Sequence, residues 1–258
     1  MSDYIPIGYT NNFLNQVIMR IDFLQFVPTE NVFNDNITKE ILRIFPRREK
    51  DQIIRFNSFR AAFNVNDGSP SSNVLEGIQK TYVSNDGQNK LSLSNKYMIF
   101  LINNYCGFKE HMRWFQSILF PFFQINNIES SRVGIRYINI FDSSKIRLRK
   151  NFFTPEISAS LYTKISENDN ELKLTRSLHT TEYSVDDMML KFRYGMYNPE
   201  YPNALRKNDF TLDYDFFTDD MIDSADGILR VVNKGHEEIQ ALFEQSITDS
   251  LREVMRNG

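Results

Sequence analysis

The stretch VGIRYINIF, from Val133 to Phe141, constrains the fold of this 258-residue chain more than any other. Successive side chains of an extended strand point to opposite faces of a sheet. In this stretch the residues of both alternating sets are mainly apolar, and Arg136 lies between Ile135 and Tyr137. Such a run is typical of a strand buried on both faces. The pattern therefore predicts a central strand that carries a guanidinium group.

Arg136 needs an explanation, because an unpaired buried charge costs several kcal/mol. One hypothesis is a structural ion pair, in which a carboxylate from elsewhere in the fold, or access to water, compensates the charge. The alternative is an arginine in a cleft that binds a carboxylate or a phosphate of a ligand. The sequence favours the ion pair.

The segment NDFTLDYDFFT, Asn208 to Thr218, offers carboxylates for that pair. At a period of two, one of its faces is apolar and the other carries Asp209, Asp213 and Asp215. Asp213 and Asp215 could hold a hard cation such as Mg²⁺, or act as acid and base, which gives the hypothesis of a metal-dependent enzyme that uses Arg136 as well. A pairing of Arg136 with one of these aspartates is an equally good interpretation.

The remaining patterns predict a fold of the α+β class. Period-two alternation predicts several more strands, among them Asn15 to Phe26 and Glu156 to Ile165, and apolar residues at three- and four-residue spacing predict helices. One of these helices covers Gly107 to Ile125, and a single long one covers about Ser224 to Arg256. We expect a large, mostly antiparallel sheet with helices packed on one face, in one domain over residues 1–258. A weaker prediction subdivides the chain near Lys150.

Two basic clusters give a nucleic-acid-binding hypothesis. One contains Arg47, Arg48 and Lys50; the other, in the segment Lys145 to Lys150, contains Lys145, Arg147, Arg149 and Lys150. Either could contact phosphates, and Phe152 and Phe153 beside the second cluster suit stacking on single-stranded bases. The alternative is a solvated loop in each case, which the formal net charge of −3 favours.

Composition and motifs exclude several other classes. One cysteine, Cys106, allows no internal disulfide and no multi-cysteine zinc site, and the three histidines show no metal-binding spacing. There is no phosphate-binding loop, dinucleotide fingerprint or nucleophile elbow. We therefore assign no catalytic residue, no metal site and no cofactor. The chain shows neither a signal peptide nor a membrane-spanning run, so we expect a cytoplasmic protein that does not bind membranes.

Three segments resemble a sporadically distributed family of uncharacterised prokaryotic proteins of about this length. The resemblance lies in the strand motif Arg136-Tyr137-Ile138-Asn139, in Leu212-Asp213, and in a closing helix with His236, Phe243, Ile247 and Thr248. It also includes the N-terminal strand NQVIMRIDF. Many family members have a Trp-containing segment on the sheet, whereas the single tryptophan here, Trp114, is in a predicted helix. The resemblance implies no catalytic residue. The patchy distribution of the family implies that the protein is an accessory component of a mobile defence or toxin–antitoxin-like module.

The leading functional hypothesis is accordingly a non-enzymatic cytosolic interaction protein that acts with a protein partner encoded nearby. The metal-dependent enzyme and the nucleic-acid-binding protein remain its alternatives.

Overall fold

The computed structural model describes residues 8–63, 70–159, 174–207 and 209–257, and within these ranges it leaves out the side chains of residues 57–63, 70–73 and 150. The described residues include ten strands and six α-helices. The strands are β1 Leu14–Phe23, β2 Arg47–Arg48, β3 Gln52–Phe63, β4 Pro70–Val83, β5 Asn89–Ser94, β6 Tyr97–Ile102, β7 Ser130–Phe141, β8 Ser177–Val185, β9 Met188–Met196 and β10 Phe210–Thr218. The helices are α1 Thr29–Val32, α2 Asp35–Ile44, α3 Phe108–Asn126, α4 Pro155–Ser158, α5 Ala225–Ser246 and α6 Asp249–Asn257, with a short 3₁₀ turn at Lys150–Phe152.

The strands form a large antiparallel sheet, which confirms the predicted α+β class. Their order is β2-β4-β5-β6-β1-β7-β10-β9-β8, and β3 also pairs with β4. The predicted strand around Arg136 is β7, which has neighbours on both sides. Among the described residues, no helix combines the length and the apolar composition needed to cross a membrane.

The chain divides into two compact units, each assembled from separated stretches. Unit 1 comprises residues 1–17, 134–218 and 232–258, and unit 2 comprises residues 18–133 and 219–231. The prediction of one domain over residues 1–258, with a weaker subdivision near Lys150, stays a prediction.

Unit 1 contains β8, β9, β10, most of β7 and the C-terminal part of α5. The helix packs closely against the sheet at Gly235, where an added Cβ would lie 2.6 Å from Ile135 and 2.7 Å from Phe216. Alternate residues of β10, including Leu212 and Tyr214, are fully buried. The covered face of the sheet in this unit is therefore the face opposite to Arg136.

Unit 2 has an aromatic core between α3 and its strands. Phe122 stacks on Phe23 with ring centroids 5.1 Å apart, and Phe115 meets Phe100 edge-to-face at 5.0 Å. A fully buried polar residue, Asn95, lies at the turn between β5 and β6. Its side-chain amide accepts a hydrogen bond from the Ile78 amide and donates to the Val27 carbonyl, both at 2.8 Å.

The predicted single C-terminal helix is wrong, because the structure has two helices separated at Ile247 and Thr248. Ile247 forms a β-bridge with Phe153, and the Thr248 amide donates to the Phe152 carbonyl at 3.0 Å. The backbone groups of Ile247 and Thr248, which would continue the helix, thus form hydrogen bonds with the segment Phe152 to Phe153 instead.

The predicted strand from Glu156 to Ile165 is also wrong where the structure describes it. Pro155–Ser158 forms one helical turn, with proline at its first position. The fixed φ of proline suits that position, and its missing N–H removes no helical hydrogen bond there. Residues 160–165 of this prediction lie outside the described residues.

Candidate functional site

Arg136 forms a bidentate ion pair with Asp213 of the neighbouring strand β10. Its Nε and Nη2 atoms each donate to one carboxylate oxygen of Asp213 at 2.7 Å. These hydrogen bonds raise the pKa of Arg136, as do the nearby charges of Asp213 and Asp215, although burial opposes the shift. Parallel double contacts of this kind are the strongest that a guanidinium group makes with a carboxylate. The pair supplies the compensating charge that the position of Arg136 in an apolar strand requires.

Asp213 has a second arginine partner on its other side. Arg193 lies directly opposite Asp213 in the β9–β10 register, and its Nη1 donates to Oδ2 of Asp213 at 3.1 Å. The same guanidinium reaches Asp215 at 3.5 Å. Asp213 is the most enclosed member of this group, since its side chain is 9% exposed whereas that of Arg136 is 37% exposed. We call Arg136, Asp213, Arg193 and Asp215 the charge ladder.

The charge ladder continues to the last strand of the sheet. Lys191 of β9 lies opposite Asp215, and its Nζ is 2.6 Å from Glu182 of β8. Three cations therefore face three carboxylates across four strands. Because the charges balance, the ladder has no excess of one sign with which to attract a charged ligand.

The geometry does not bring Asp213 and Asp215 together as a carboxylate pair facing open space. Both oxygens of Asp213 accept from arginine, and Asp215 faces Arg193. In the described part of the chain, no three or more His, Cys, Asp or Glu residues are grouped so as to hold a metal ion. Asp209, the third acidic residue of the predicted face, accepts hydrogen bonds from the backbone and hydroxyl of Ser143 at 2.8 and 2.7 Å.

A second polar pair lies on the covered face of the same strand. His236 of α5 is hydrogen-bonded through Nδ1 to the hydroxyl of Tyr137, at 2.9 Å, and the two rings stack. Burial lowers the pKa of His236 to about 4. The imidazole is therefore neutral at physiological pH.

This pair makes the stability of the protein depend on pH. His236 has a pKa of about 4 in the folded protein, whereas a histidine in an unfolded chain has a pKa near 6.5. The unfolded state thus binds a proton that the native state does not, and stability falls as the pH decreases from 6.5 toward 4. We expect a loss of about 2 kcal/mol between pH 7.5 and pH 4.5 from this half-buried group. Urea denaturation at the two pH values, compared between the parent protein and His236→Gln, measures it. If both proteins lose the same amount, His236 does not contribute.

The first basic cluster is partly neutralised by neighbouring carboxylates. Arg47, Arg48 and Lys50 are all exposed. Arg48 forms an ion pair with Asp51, and the adjacent Glu49 binds Lys90 at 2.7 Å. The Arg48–Asp51 pair lowers the net positive charge of the cluster, whereas the Glu49–Lys90 pair leaves it unchanged.

The second basic cluster has three exposed cations. Lys145, Arg147 and Arg149 are exposed, and none of the ion pairs formed among the described residues includes them. The side chain of Lys150 lies outside the described residues.

The expectation that Phe152 and Phe153 stack on bases is wrong, because each is only 2% exposed. Phe153 packs instead against Phe141 and Phe210 in the core.

The sequence predicts a strand in the segment that forms β8, but the exposure of both faces of this strand was not predicted. Among the described residues it pairs only with β9, and every side chain from Leu178 to Ser184 is exposed. The sheet therefore extends beyond its covered core by one strand that meets solvent on both faces. The signal was present in the sequence SLHTTEYSV, which carries polar residues in both alternating sets and so lacks a buried face.

The pairing of β8 with β9 is regular. Nine consecutive residue pairs, from Ser177 opposite Met196 to Val185 opposite Met188, show no bulge. At one end, Gly195 has φ of +139°, and an added Cβ would lie 2.0 Å from the Ser177 carbonyl oxygen. Only glycine allows the two backbones to approach so closely. His179 stacks on Tyr194 at 5.0 Å and adds a side-chain contact between the strands.

Comparisons of this chain with protein-family models, curated proteins and solved structures find no match. The resemblance to a family of prokaryotic proteins remains a prediction from the sequence motifs.

Proposed function

We propose that this chain is an interaction protein, and that its partner binds by adding a strand to β8. The observation that carries the proposal is that β8 ends the sheet formed by the described residues and has both faces exposed. The outward backbone N–H and C=O groups of such a strand are a template for pairing with another chain.

β8 has few of the features by which edge strands usually avoid pairing, and its one carboxylate, that of Glu182, is paired with Lys191 of β9. Its nine residues include no proline and no lysine, and its register with β9 has no bulge. A strand of this length spans about 30 Å, which is long for an unprotected edge. Threonine, tyrosine and valine, which favour extended structure, make up four of the nine positions.

Two exposed apolar side chains give the edge contacts for a partner. Leu178 is 48% exposed, and Tyr183, which lies on the opposite face of the strand, is 41% exposed. In strand addition, backbone hydrogen bonds supply affinity and alternate side chains supply specificity. Leu178 and Tyr183 would contact partner residues on different faces of the extended sheet.

Proline substitutions at two adjacent positions test this proposal. Backbone N–H groups of an antiparallel strand point alternately to its two sides, so one of Thr180 and Thr181 donates toward β9 and the other points outward. Proline removes the N–H group in either case. Thermal unfolding identifies the outward position as the one whose proline variant keeps the parent's melting temperature.

We expect the stability-neutral variant to capture at least tenfold less partner than the parent does. The readout is a tagged pull-down from native cells, with mass spectrometry identifying the captured chain, whether another protein or an untagged copy of this one. Ile53→Ser is the matched control, because Ile53 is an apolar residue 75% exposed on β3 and its replacement should leave capture unchanged. Unchanged capture by the neutral proline variant would show that β8 is not the binding edge.

The accessory role in a mobile defence or toxin–antitoxin-like module, the cytoplasmic location and a genetically linked partner remain predictions. Nucleic acid without protein in the pull-down would favour the hypothesis based on Lys145, Arg147 and Arg149. The metal-dependent hypothesis based on Asp213, Asp215 and Arg136 requires a cation to compete with two arginines for Asp213.

A further inference from the structure

We infer that the chain which adds to β8 is a second copy of this protein, so that the two sheets join through an antiparallel β8–β8 pair. The inference rests on the proposed function of β8 as a binding edge. It adds the identity of the partner and the register of the β8–β8 pair, which we call the seam.

The register follows from the length of the strand. β8 covers the nine residues Ser177–Val185. A two-fold axis through the central residue, Thr181, pairs all nine with their counterparts, whereas an axis at any other position leaves residues at the ends without a partner. Closed two-fold symmetry is the commonest arrangement of identical subunits, and it presents the same patch on both. We therefore place Thr181 of one copy opposite Thr181 of the other.

The charges of β8 are compatible with this self-pairing. Glu182 is the only charged residue of the strand other than histidine, and in this register it lies opposite Thr180 of the other copy. Its charge is already compensated within its own subunit by Lys191 at 2.6 Å. No two like charges are opposed across the seam, which is the condition that a strand must meet to pair with itself.

The side chains also match across the seam. His179 falls opposite Tyr183 of the other copy, on the face where His179 already stacks on Tyr194. Cross-strand pairs of aromatic side chains stabilise antiparallel sheets. The apolar Leu178 lies opposite Ser184, on the other face. The threonines at the centre are β-formers with small polar side chains that suit a solvated strand pair.

One added strand on each side buries a small area, so we expect the dimer to exchange with the monomer in solution. A covalent trap is therefore the appropriate test. In a Cys106→Ser background, which removes the one native and exposed cysteine, Thr181→Cys places two thiols opposite each other. Opposed residues in an antiparallel pair have Cα atoms about 4.5–5.5 Å apart, within the range that a disulfide spans.

Thr180→Cys is the matched control. Residue 180 is also exposed and lies one residue away. In the inferred register, however, the two copies of residue 180 are displaced by two residues along the strands. Their Cα atoms are then about 8 Å apart, beyond the reach of a disulfide. Equal melting temperatures of the two variants establish that both are folded.

Under mild oxidation, we expect Thr181→Cys to form at least fivefold more covalent dimer than Thr180→Cys on a non-reducing gel. Equal yields from the two variants, or no dimer from Thr181→Cys, would overturn the inference. The failure of the inference differs from that of the proposed function. If Thr181→Cys stays monomeric while the outward proline variant still loses a different captured protein, β8 is a binding edge for that protein and the self-pairing is wrong. If the outward proline variant captures as much partner as the parent protein does, both the inference and the proposed function are wrong.

Discussion

Replacing Asp213 with alanine is expected to lower the free energy of unfolding by about 3 kcal/mol. Asp213 accepts two hydrogen bonds from Arg136 and one from Arg193, and its own side chain is 9% exposed. Its removal leaves Arg136 without its hydrogen-bonded carboxylate and leaves Arg193 with only the 3.5 Å contact to Asp215. Both arginines are about one-third exposed, so water replaces part of the loss and keeps it at the low end for a broken buried pair. Urea denaturation at neutral pH measures the effect.

Two further variants separate the ion pair from general damage to the strand. Asp215→Ala removes one long contact and should cost less than about 1 kcal/mol. Replacing Arg136 and Asp213 together by leucine removes both charges and should recover at least half of the stability lost in Asp213→Ala, because no uncompensated group remains on β7. A loss below about 0.5 kcal/mol in Asp213→Ala would mean that the pair contributes no more than an ordinary surface contact.

Asn95→Ala is expected to destabilise the protein by about 3–4 kcal/mol, through two buried backbone groups that lose their partners. The Asn95 side chain is fully buried, and it binds the Ile78 amide and the Val27 carbonyl at 2.8 Å and the Thr29 hydroxyl at 3.1 Å. Alanine makes none of these bonds and leaves a space that water reaches poorly. Thermal and urea unfolding should both show the loss.

Asn104→Ala is the control for this substitution. Asn104 is exposed, and its side chain donates a hydrogen bond to Asp86 at 3.1 Å. Solvent can replace that bond, so the cost should stay within about 0.5 kcal/mol. Equal effects of the two alanine substitutions would contradict the structural role given to Asn95.

Local patterns were sufficient to predict the elements that have one buried face. The alternation in β10 separates its buried residues, such as Leu212 and Tyr214, from Asp215, and the apolar spacing of α3 marks its buried stripe. The charge of Arg136 required a partner and the acidic strand offered one. Which aspartate takes that place depends on how β7 and β10 are aligned, and the residues of either strand alone do not determine it.

Two of the errors share a physical cause, which is competition from distant segments. The C-terminal helix is interrupted where Phe152 and Phe153 take up the backbone groups of Ile247 and Thr248. The same two phenylalanines looked available for stacking because nothing in their own neighbourhood shows that Phe153 lies against Phe141 and Phe210. The sequence of β8 shows that neither of its faces is apolar, but its place at the end of the sheet follows from the order of the strands.

The division of the chain between its two units has a consequence for synthesis. Unit 1 needs residues 1–17 together with residues 232–258, and unit 2 needs residues 219–231 to join residues 18–133. Chains emerge from the ribosome N-terminus first, at about 5–20 residues per second. At these rates, roughly ten to fifty seconds pass between the synthesis of β1 and that of the last stretches of both units. Until residues 219–258 have left the ribosome, both units are incomplete.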